Sequence, residues 1–328
     1  MTRAAIWLLT LGALLFIGVL VSQGFSAVFA TLAVAGWGLL GVAAFHLLPL
    51  LLDAAAIHVL FSEGARVRLR EAALVRWIGE SANSLMPAGA LSGPALMIRQ
   101  LSQRGVPMQA AVAQITVSTT FQTLAQVVFT LLGLALVVAR ASQAMQHTLR
   151  VPMLVASAVL AVPIGMFYLL QRRGFFGKLL RAAARFSGKR HWLKLMSQAE
   201  ALDAALLSTY DRWPQVVGSF AWSLLGWVAG TGEVYLILHL LGSAVSWSDA
   251  LVLESLGQAI RGAAFAIPGS LGVQEGGYLL LAPLANLSPE VALALSLAKR
   301  ARELLLAVPG LVYLHLSERR FLYYSRPR

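Results

Sequence analysis

The fold of this chain is decided by two stretches, GESANSLMPAGALSGPALMIRQLSQRGVP (79–107) and RGAAFAIPGSLGVQEGGYLLLAPLANLSP (261–289). With Pro87 aligned to Pro268, each has two apolar residues, a proline, a run of small residues and a short apolar segment. Each then ends in a second proline that begins a long helical pattern. Backbone interrupted at membrane depth needs protein or a water-filled cavity to satisfy its N–H and C=O groups. Paired interruptions in the two halves of a chain point to a transporter's binding site.

The composition is that of a membrane protein. Of 328 residues, 58% are hydrophobic and only 12% are charged, and the mean hydropathy is +0.74. These values exclude an ordinary soluble domain. The formal net charge of +12 does not indicate nucleic-acid binding, because the basic residues fall in loops between apolar spans, as in cytoplasmic loops. The absence of cysteine excludes disulfides and thiolate metal sites.

We predict an all-α, polytopic membrane protein that forms a single integral membrane domain over 1–328. About six transmembrane helices are expected, because six stretches approach or exceed the ~20 residues that a bilayer requires. They are 5–22, 36–60, 108–138, 151–170, 214–241 and 290–316. The segments 81–98 and 250–287 are interrupted by proline and glycine, and we interpret them as re-entrant hairpins.

Arginine and lysine cluster in the loops after the second and fourth spans and in the tail, which places both termini in the cytoplasm. The first hairpin then enters from the cytoplasmic side and the second from the opposite side, as an inverted-topology repeat requires. The expected location is the bacterial inner membrane. The cytoplasmic segment 171–213 has apolar and cationic helical faces, typical of a helix on an anionic leaflet; an ordinary basic loop is the alternative.

Ionisable groups inside spans cost about 2.5–3.5 kcal/mol each on insertion scales and are functional candidates by default. The densest set lies in the last span, where helical spacing places Lys299, Arg302 and Glu303 on one face. We expect this face to meet a cavity, a hairpin or a bound anion. The alternative is structural, with these charges holding the hairpin's carbonyl groups and pairing with Glu254 or Glu275.

Both hairpins and the third span add polar candidates for binding a substrate. These are Arg76, Glu80, Asn83, Arg99, Gln122, Glu254, Arg261, Gln274 and Glu275. Simpler roles remain open for four of them: Asn83 as a helix cap, Arg76 with Glu80 as a local ion pair, and Gln122 as a helix-packing contact. Together these residues predict a polar chamber near the membrane midplane with an excess of cations. A proton relay could use five further groups, but each is isolated in the sequence and a packing role is favoured for any one of them: His46, Asp53, His58, Glu233 and His239.

Four blocks carry a resemblance to a known family: RWIGESANSLMP (76–87), IRQLSQRGVP (98–107), IPGSLGVQEGGYLLL (267–281) and LALSLAKRARELLLAVPGL (293–311). With them the chain resembles the lysylphosphatidylglycerol synthase/flippase transmembrane family, and within it the hopanoid-biosynthesis-associated branch. The resemblance implies a protein that moves a lipid, either a hopanoid or another membrane lipid such as an anionic phospholipid, between leaflets or membranes.

Two other functions stay open at this point. A membrane-embedded head-group transferase would use Glu254 or Glu275 as its base, and a scaffold would recruit lipid-synthesis enzymes. We expect no enzyme activity, because the sequence has no catalytic motif, no paired-histidine metal site and no phosphate-binding loop. No cofactor, metal or nucleic acid is expected as a partner, and homo-oligomerisation is left open.

Overall fold

The structure is a computed structural model that describes residues 33–61, 67–86, 92–140, 158, 161–162, 164–174, 192–264, 267 and 270–324. These residues are helical apart from turns and short connections, and no strand occurs among them. The protein is therefore an all-α polytopic membrane protein, as the sequence predicts. The predicted span 5–22 lies outside the described residues, as do much of 151–170 and residues 175–191 of the cytoplasmic segment.

The helices follow in two similar series. The first comprises α1 (Gly38–Phe45), α2 (Leu47–Leu60), α3 (Leu69–Leu85), α4 (Ser92–Gln103) and α5 (Met108–Arg140). After a short helical stretch at 164–172 and α6 (Trp192–Asp211), the second comprises α7 (Trp213–Leu240), α8 (Trp247–Ala263), α9 (Val273–Leu281) and α10 (Pro289–Tyr324), with a 3-10 turn at Ala282–Ala285. Each series thus has a membrane-length helical stretch, formed by α1 with α2 in the first series and by α7 in the second. A helix, a break, a shorter helix and a long helix follow it.

Local chemistry explains where the helices stop and restart. Met86 is extended and ends α3, as expected for a residue that precedes a proline. α8 begins with a capping box in which Ser246 and Asp249 satisfy each other's backbone N–H groups. α9 begins after Gly272, which has a φ of 77° that favours glycine. The carboxylate of Glu275 accepts a 2.8 Å hydrogen bond from the Gly272 N–H.

The same helix pairs pack together in both halves. α3 packs against α4 as α8 packs against α9, and α4 contacts α5 as α9 contacts α10. Helices of one half also contact helices of the other, since α3 packs against α10 and α8 packs against α5. The long helices α2 and α7 lie side by side. This arrangement agrees with a repeat, whereas the opposite entry of the two hairpins from the two membrane sides stays a prediction.

The α5–α8 and α3–α10 contacts are close because in each of them a glycine of one helix faces a serine of the other. A Cβ atom added at Gly133 of α5 would lie 1.8 Å from the Ser255 hydroxyl of α8. One added at Gly310 of α10 would lie 2.1 Å from the Ser81 hydroxyl of α3. Small residues at such positions let helix backbones approach closely in membranes, where packing replaces the hydrophobic drive.

Each half has its own apolar core. One cluster joins α2 to α5 around Ile57, Val75 and Ile115, and another joins α7 to α10, with α1, around Leu253 and Leu295. The charged groups lie between these two clusters, where the halves meet.

Large apolar side chains cover the outward faces of the long helices. They include Leu47, Leu48 and Leu51 of α2, Val217, Trp222 and Leu225 of α7, and Leu304, Leu305, Val308, Val312 and Leu316 of α10. Three helical stretches of the described residues are long and apolar enough to cross a membrane: Gly38–Leu60, Met108–Arg140 and Trp213–Leu240. They coincide with three predicted spans, while the predicted span 290–316 is a continuous helix that carries buried charges.

Candidate functional site

A cavity of about 410 Å³ lies where the two halves meet, and it is lined by residues of α2, α3, α4, α5, α7, α8 and α10. Its walls combine apolar side chains with buried charges and amides. Cavities of this size hold small ligands or the head of a larger one. In a membrane protein, ionisable groups gathered at such a place are a functional site by default.

One wall is formed by hydroxyl and amide side chains of α5. Ser118, Thr119, Gln122, Thr123 and Gln126 all line the cavity. Thr123 donates its hydroxyl hydrogen to the Thr119 carbonyl within α5, while the Gln126 amide reaches across to the Gln258 carbonyl at 2.9 Å. These α5 side chains therefore line the cavity, and Gln126 also joins α5 to α8.

A second part of the cavity wall is ionic, and its first pair joins α2 to α3. Nη2 of Arg76 donates to Oδ2 of Asp53 at 2.6 Å, and the same oxygen accepts from Nε2 of Gln122 at 2.7 Å. The local Arg76–Glu80 ion pair that the spacing suggested is not formed. Both side chains point into the cavity and find partners on other helices, because α3 is packed on several sides.

His46, between α1 and α2, connects the two halves. Its Nε2 lies 2.7 Å from Oε1 of Glu80 on α3, and its Nδ1 lies 2.6 Å from Oε2 of Glu233 on α7. An imidazole can donate at both nitrogens only as a cation. Glu233 also accepts from Nη2 of Arg302 on α10 at 2.9 Å, and Nη1 of Arg302 lies 3.6 Å from Glu80.

The second half supplies two further pairs. Nζ of Lys299 donates to Oε2 of Glu254 on α8 at 2.6 Å and lies 3.5 Å from Glu233. Nη1 of Arg261, also on α8, donates to Oε1 of Glu303 on α10. Lys299 is 1% exposed, and a buried ammonium group persists only when it is paired.

We call these ten side chains the central ion cluster: His46, Asp53, Arg76, Glu80, Glu233, Glu254, Arg261, Lys299, Arg302 and Glu303. Counted by formal charge, it contains five carboxylates and four permanent cations, so it is neutral only with a protonated His46. Arg300 lies 3.9 Å from Glu303 and 2.8 Å from Glu275, and it adds one cation together with one carboxylate, which leaves the balance unchanged. The predicted excess of cations is therefore wrong for the described residues. The predicted excess came from the charges of the hairpin segments and the last span alone. The fold adds His46, Asp53 and Glu233 from other segments and places them beside the arginines.

Most of the predicted site residues meet at this cavity. Arg76, Glu80, Asn83, Gln122, Glu254, Arg261 and Arg302 line it. Lys299 and Glu303 lie behind the lining and pair with Glu254 and Arg261. The structural interpretation of the last span is observed in part, because Lys299 pairs with Glu254 as expected, whereas Arg302 pairs with Glu233 of α7. A role of this face in binding a substrate stays a prediction.

The remaining predicted residues lie elsewhere. Gln274 donates to the Ser296 hydroxyl at 3.1 Å. Glu275 caps the start of α9 and accepts from Nη2 of Arg300 at 2.8 Å, so both of these residues fasten α9 to α10. Asn83 lines the cavity and also accepts from the backbone N–H of Gly93 at 2.7 Å, so it caps the helix after the break rather than the one before it.

Arg99 is distant from the cavity. Its side chain is 55% exposed, and its Nε donates to Oε1 of Glu318 at 2.8 Å near the end of α10. The hydrogen bonds from Arg99 lower the pKa of the Glu318 carboxyl below its ordinary value. Arg99 therefore ties α4 to the end of α10 outside the predicted span.

Comparison with known proteins identifies a family match. The family model for the lysylphosphatidylglycerol synthase TM region matches residues 6–310, which is most of the chain and includes every residue of the central ion cluster. No curated protein and no solved structure matches the chain. The chain belongs to the lysylphosphatidylglycerol synthase transmembrane-region family.

Proposed function

We propose that this protein is a flippase-like lipid transporter that binds the head group of an amphipathic lipid in the central cavity. The observation that carries the proposal is the cavity itself, which both halves of the chain line and which contains buried charges and amides. Transporters built from repeats bind their substrates at the interface of the repeats, beside discontinuous helices. α3–α4 and α8–α9 are such discontinuous pairs, and both contribute to the lining.

The size and the surroundings of the cavity suit a head group with its tails outside. About 410 Å³ is too little for a whole diacyl or polycyclic lipid and enough for a polar head. The outer faces of α2, α7 and α10 carry exposed leucine, valine and tryptophan side chains. Acyl or ring systems would remain against these faces, in the lipid phase, while the head moves through the protein.

Within the family, the proposal places the chain in the hopanoid-associated branch, on the strength of the sequence blocks quoted above. The location proposed with it is the bacterial inner membrane, with both termini in the cytoplasm, because basic residues concentrate in the corresponding loops. The lipid would be a hopanoid or a phospholipid.

We further propose that the lipid crosses without chemical change. The carboxylates that a transferase would need as a base are engaged: Glu254 accepts from Lys299 and Gln258, and Glu275 accepts from Arg300 and from a backbone N–H group. Both oxygens of each carboxylate therefore already accept a hydrogen bond within the protein. A general base must instead lie within hydrogen-bond reach of the proton that it removes.

Leaflet exchange in proteoliposomes tests the proposal. Gly230 lines the cavity, and a Cβ atom added there would lie 3.4 Å from Oε1 of Glu254. Gly230→Leu should fill the cavity and stop exchange of a head-labelled lipid. Gly41→Leu is the matched control, because Gly41 has open space around it and lies outside the cavity lining.

Thr123→Leu is a second blocking variant, because its hydroxyl bonds only to the carbonyl of its own helix among the hydrogen bonds of the described residues. Exchange that proceeds equally in the wild type, Gly230→Leu and Thr123→Leu would contradict transport through this cavity. So would the absence of exchange for glycolipid, hopanoid and phospholipid alike. Lipid analysis of a deletion strain separates the rival, since a transferase predicts a missing lipid species and a transporter predicts a misplaced one.

A further inference from the structure

We propose that the head group taken by this cavity is net-uncharged and hydroxyl-bearing, rather than anionic. This inference rests on the proposed function and narrows its substrate class. It starts from the charges of the central ion cluster, in which carboxylates outnumber permanent cations.

No permanent cation of the central ion cluster lacks a carboxylate partner. Arg76 is held by Asp53, Arg261 by Glu303, Lys299 by Glu254, and Arg302 by Glu233. A phosphate needs arginine or lysine donors for charge-assisted hydrogen bonds. To supply one here, the protein would have to open a buried ion pair and leave a carboxylate unpaired at membrane depth, which is strongly unfavourable. A phosphate would also add negative charge to a cluster that is neutral at best.

A hydroxyl-bearing head meets none of these obstacles. Each hydroxyl both donates and accepts, so it can bond to a paired carboxylate without displacing the partner cation. The α5 wall offers the side chains of Ser118, Thr119 and Gln122 at the cavity surface. Two further polar atoms of cavity-lining residues are buried and have no hydrogen-bond partner among the described residues: Nε of Arg76 and Oγ of Ser223. Both atoms are shielded in this structure, and a head-group hydroxyl that reaches them on binding can pair with either one without adding charge.

A competition measurement tests this assignment. The protein is reconstituted in phosphatidylcholine nanodiscs with equal amounts of a monoglycosyl diacylglycerol and phosphatidylglycerol of the same acyl chains. Lipid retained by the protein is then quantified by native mass spectrometry. We expect the wild type and the Gly41→Leu control to retain the glycolipid preferentially, and Gly230→Leu to lose that preference.

Preferential retention of phosphatidylglycerol that Gly230→Leu abolishes would overturn the inference while leaving the proposed function standing. If the retention of neither lipid depends on Gly230, both the inference and the proposed function are contradicted. The two failures are therefore distinguishable.

A gain-of-binding variant makes the test sharper. Asp53→Asn leaves Arg76 without its carboxylate, and this freed guanidinium should raise the ratio of retained phosphatidylglycerol to glycolipid about tenfold. Asp249→Asn is the matched control, because Asp249 pairs with Arg140 at an exposed position outside the cavity lining. If Asp53→Asn does not fold, Glu303→Gln frees Arg261 in the same manner. A folded variant of either kind with an unchanged ratio would contradict the inference.

Discussion

The ammonium group of Lys299 lies 2.6 Å from Oε2 of Glu254, and both side chains are almost completely buried. Removing one member of a buried pair leaves an uncompensated charge. We therefore expect Lys299→Met to lower the free energy of unfolding by about 3–5 kcal/mol, measured as a lower melting temperature in detergent. The double variant Lys299→Met with Glu254→Gln should recover part of that loss. An equal or larger loss in the double variant would contradict the pairing.

The contact between α5 and α8 depends on Gly133. Because an added Cβ atom would lie 1.8 Å from the Ser255 hydroxyl, Gly133→Ala should separate the two helices and lower the melting temperature. Ser255→Ala should partly restore it, since the hydroxyl is the nearest obstacle. Gly41→Ala, which meets open space, is the control. Full stability of Gly133→Ala would show that α5 and α8 lie farther apart than described.

The two arms of the first break are joined by Asn83. Its side-chain oxygen accepts from the Gly93 N–H at the start of α4, and loss of such a cap costs about 0.5–2 kcal/mol. Asn83→Ala should therefore destabilise the protein, while Asn83→Asp should keep most of the stability because a carboxylate also accepts. Limited proteolysis at the break measures the effect, with faster cleavage expected for the alanine variant alone.

Trp77 fastens α3 to α10 through its indole N–H, which donates to the Leu306 carbonyl at 2.9 Å. Pro309 lies in the same turn of α10 and has no N–H group, so the neighbouring Leu305 carbonyl lacks its helical donor. Trp77→Phe keeps an aromatic ring and removes the hydrogen bond, so we expect a loss of about 1 kcal/mol in thermal unfolding. A similar loss is not expected for Trp213→Phe, whose side chain is 63% exposed.

The Arg99–Glu318 pair lies outside the predicted spans and gives the stability of the protein a pH dependence. The hydrogen bonds and charge of Arg99 lower the pKa of Glu318 in the folded protein. The pair therefore stabilises the protein above the ordinary glutamate pKa of about 4.3, and this contribution is lost as the pH falls through the lower folded value. In Arg99→Gln, the decrease of the melting temperature that accompanies protonation of Glu318 should disappear. The effect should be small, because exposed pairs contribute little, and equal pH profiles for the two proteins would contradict it.

Much of this fold follows from sequence patterns. The two prolines that begin long helical patterns, Pro107 and Pro289, do precede or begin α5 and α10. The ends of α3 at Leu85 and of α8 at Ala263 are also predictable from the sequence. Proline and glycine follow both positions, and proline removes a helical hydrogen bond while glycine adopts conformations outside the helix.

The site was predictable only in part, because pairing is a property of three dimensions. The charged face of Lys299 and Arg302 is encoded by local helical spacing, so their common burial could be expected. Glu233 is 69 positions from Arg302, and no local pattern relates the two. For the same reason the spacing of Arg76 and Glu80 suggested a local pair, although each side chain binds a residue on a neighbouring helix.

The ion pairs of the cluster also bear on how the chain enters the membrane during synthesis. Asp53 and Arg76 belong to the first half, as do His46 and Glu80. The second half contributes three carboxylates, at 233, 254 and 303, and three cations, at 261, 299 and 302. Once His46 is protonated, each half brings a balanced set. The insertion machinery can therefore release the first half with its charges already compensated, about 90 residues before Glu233 is translated.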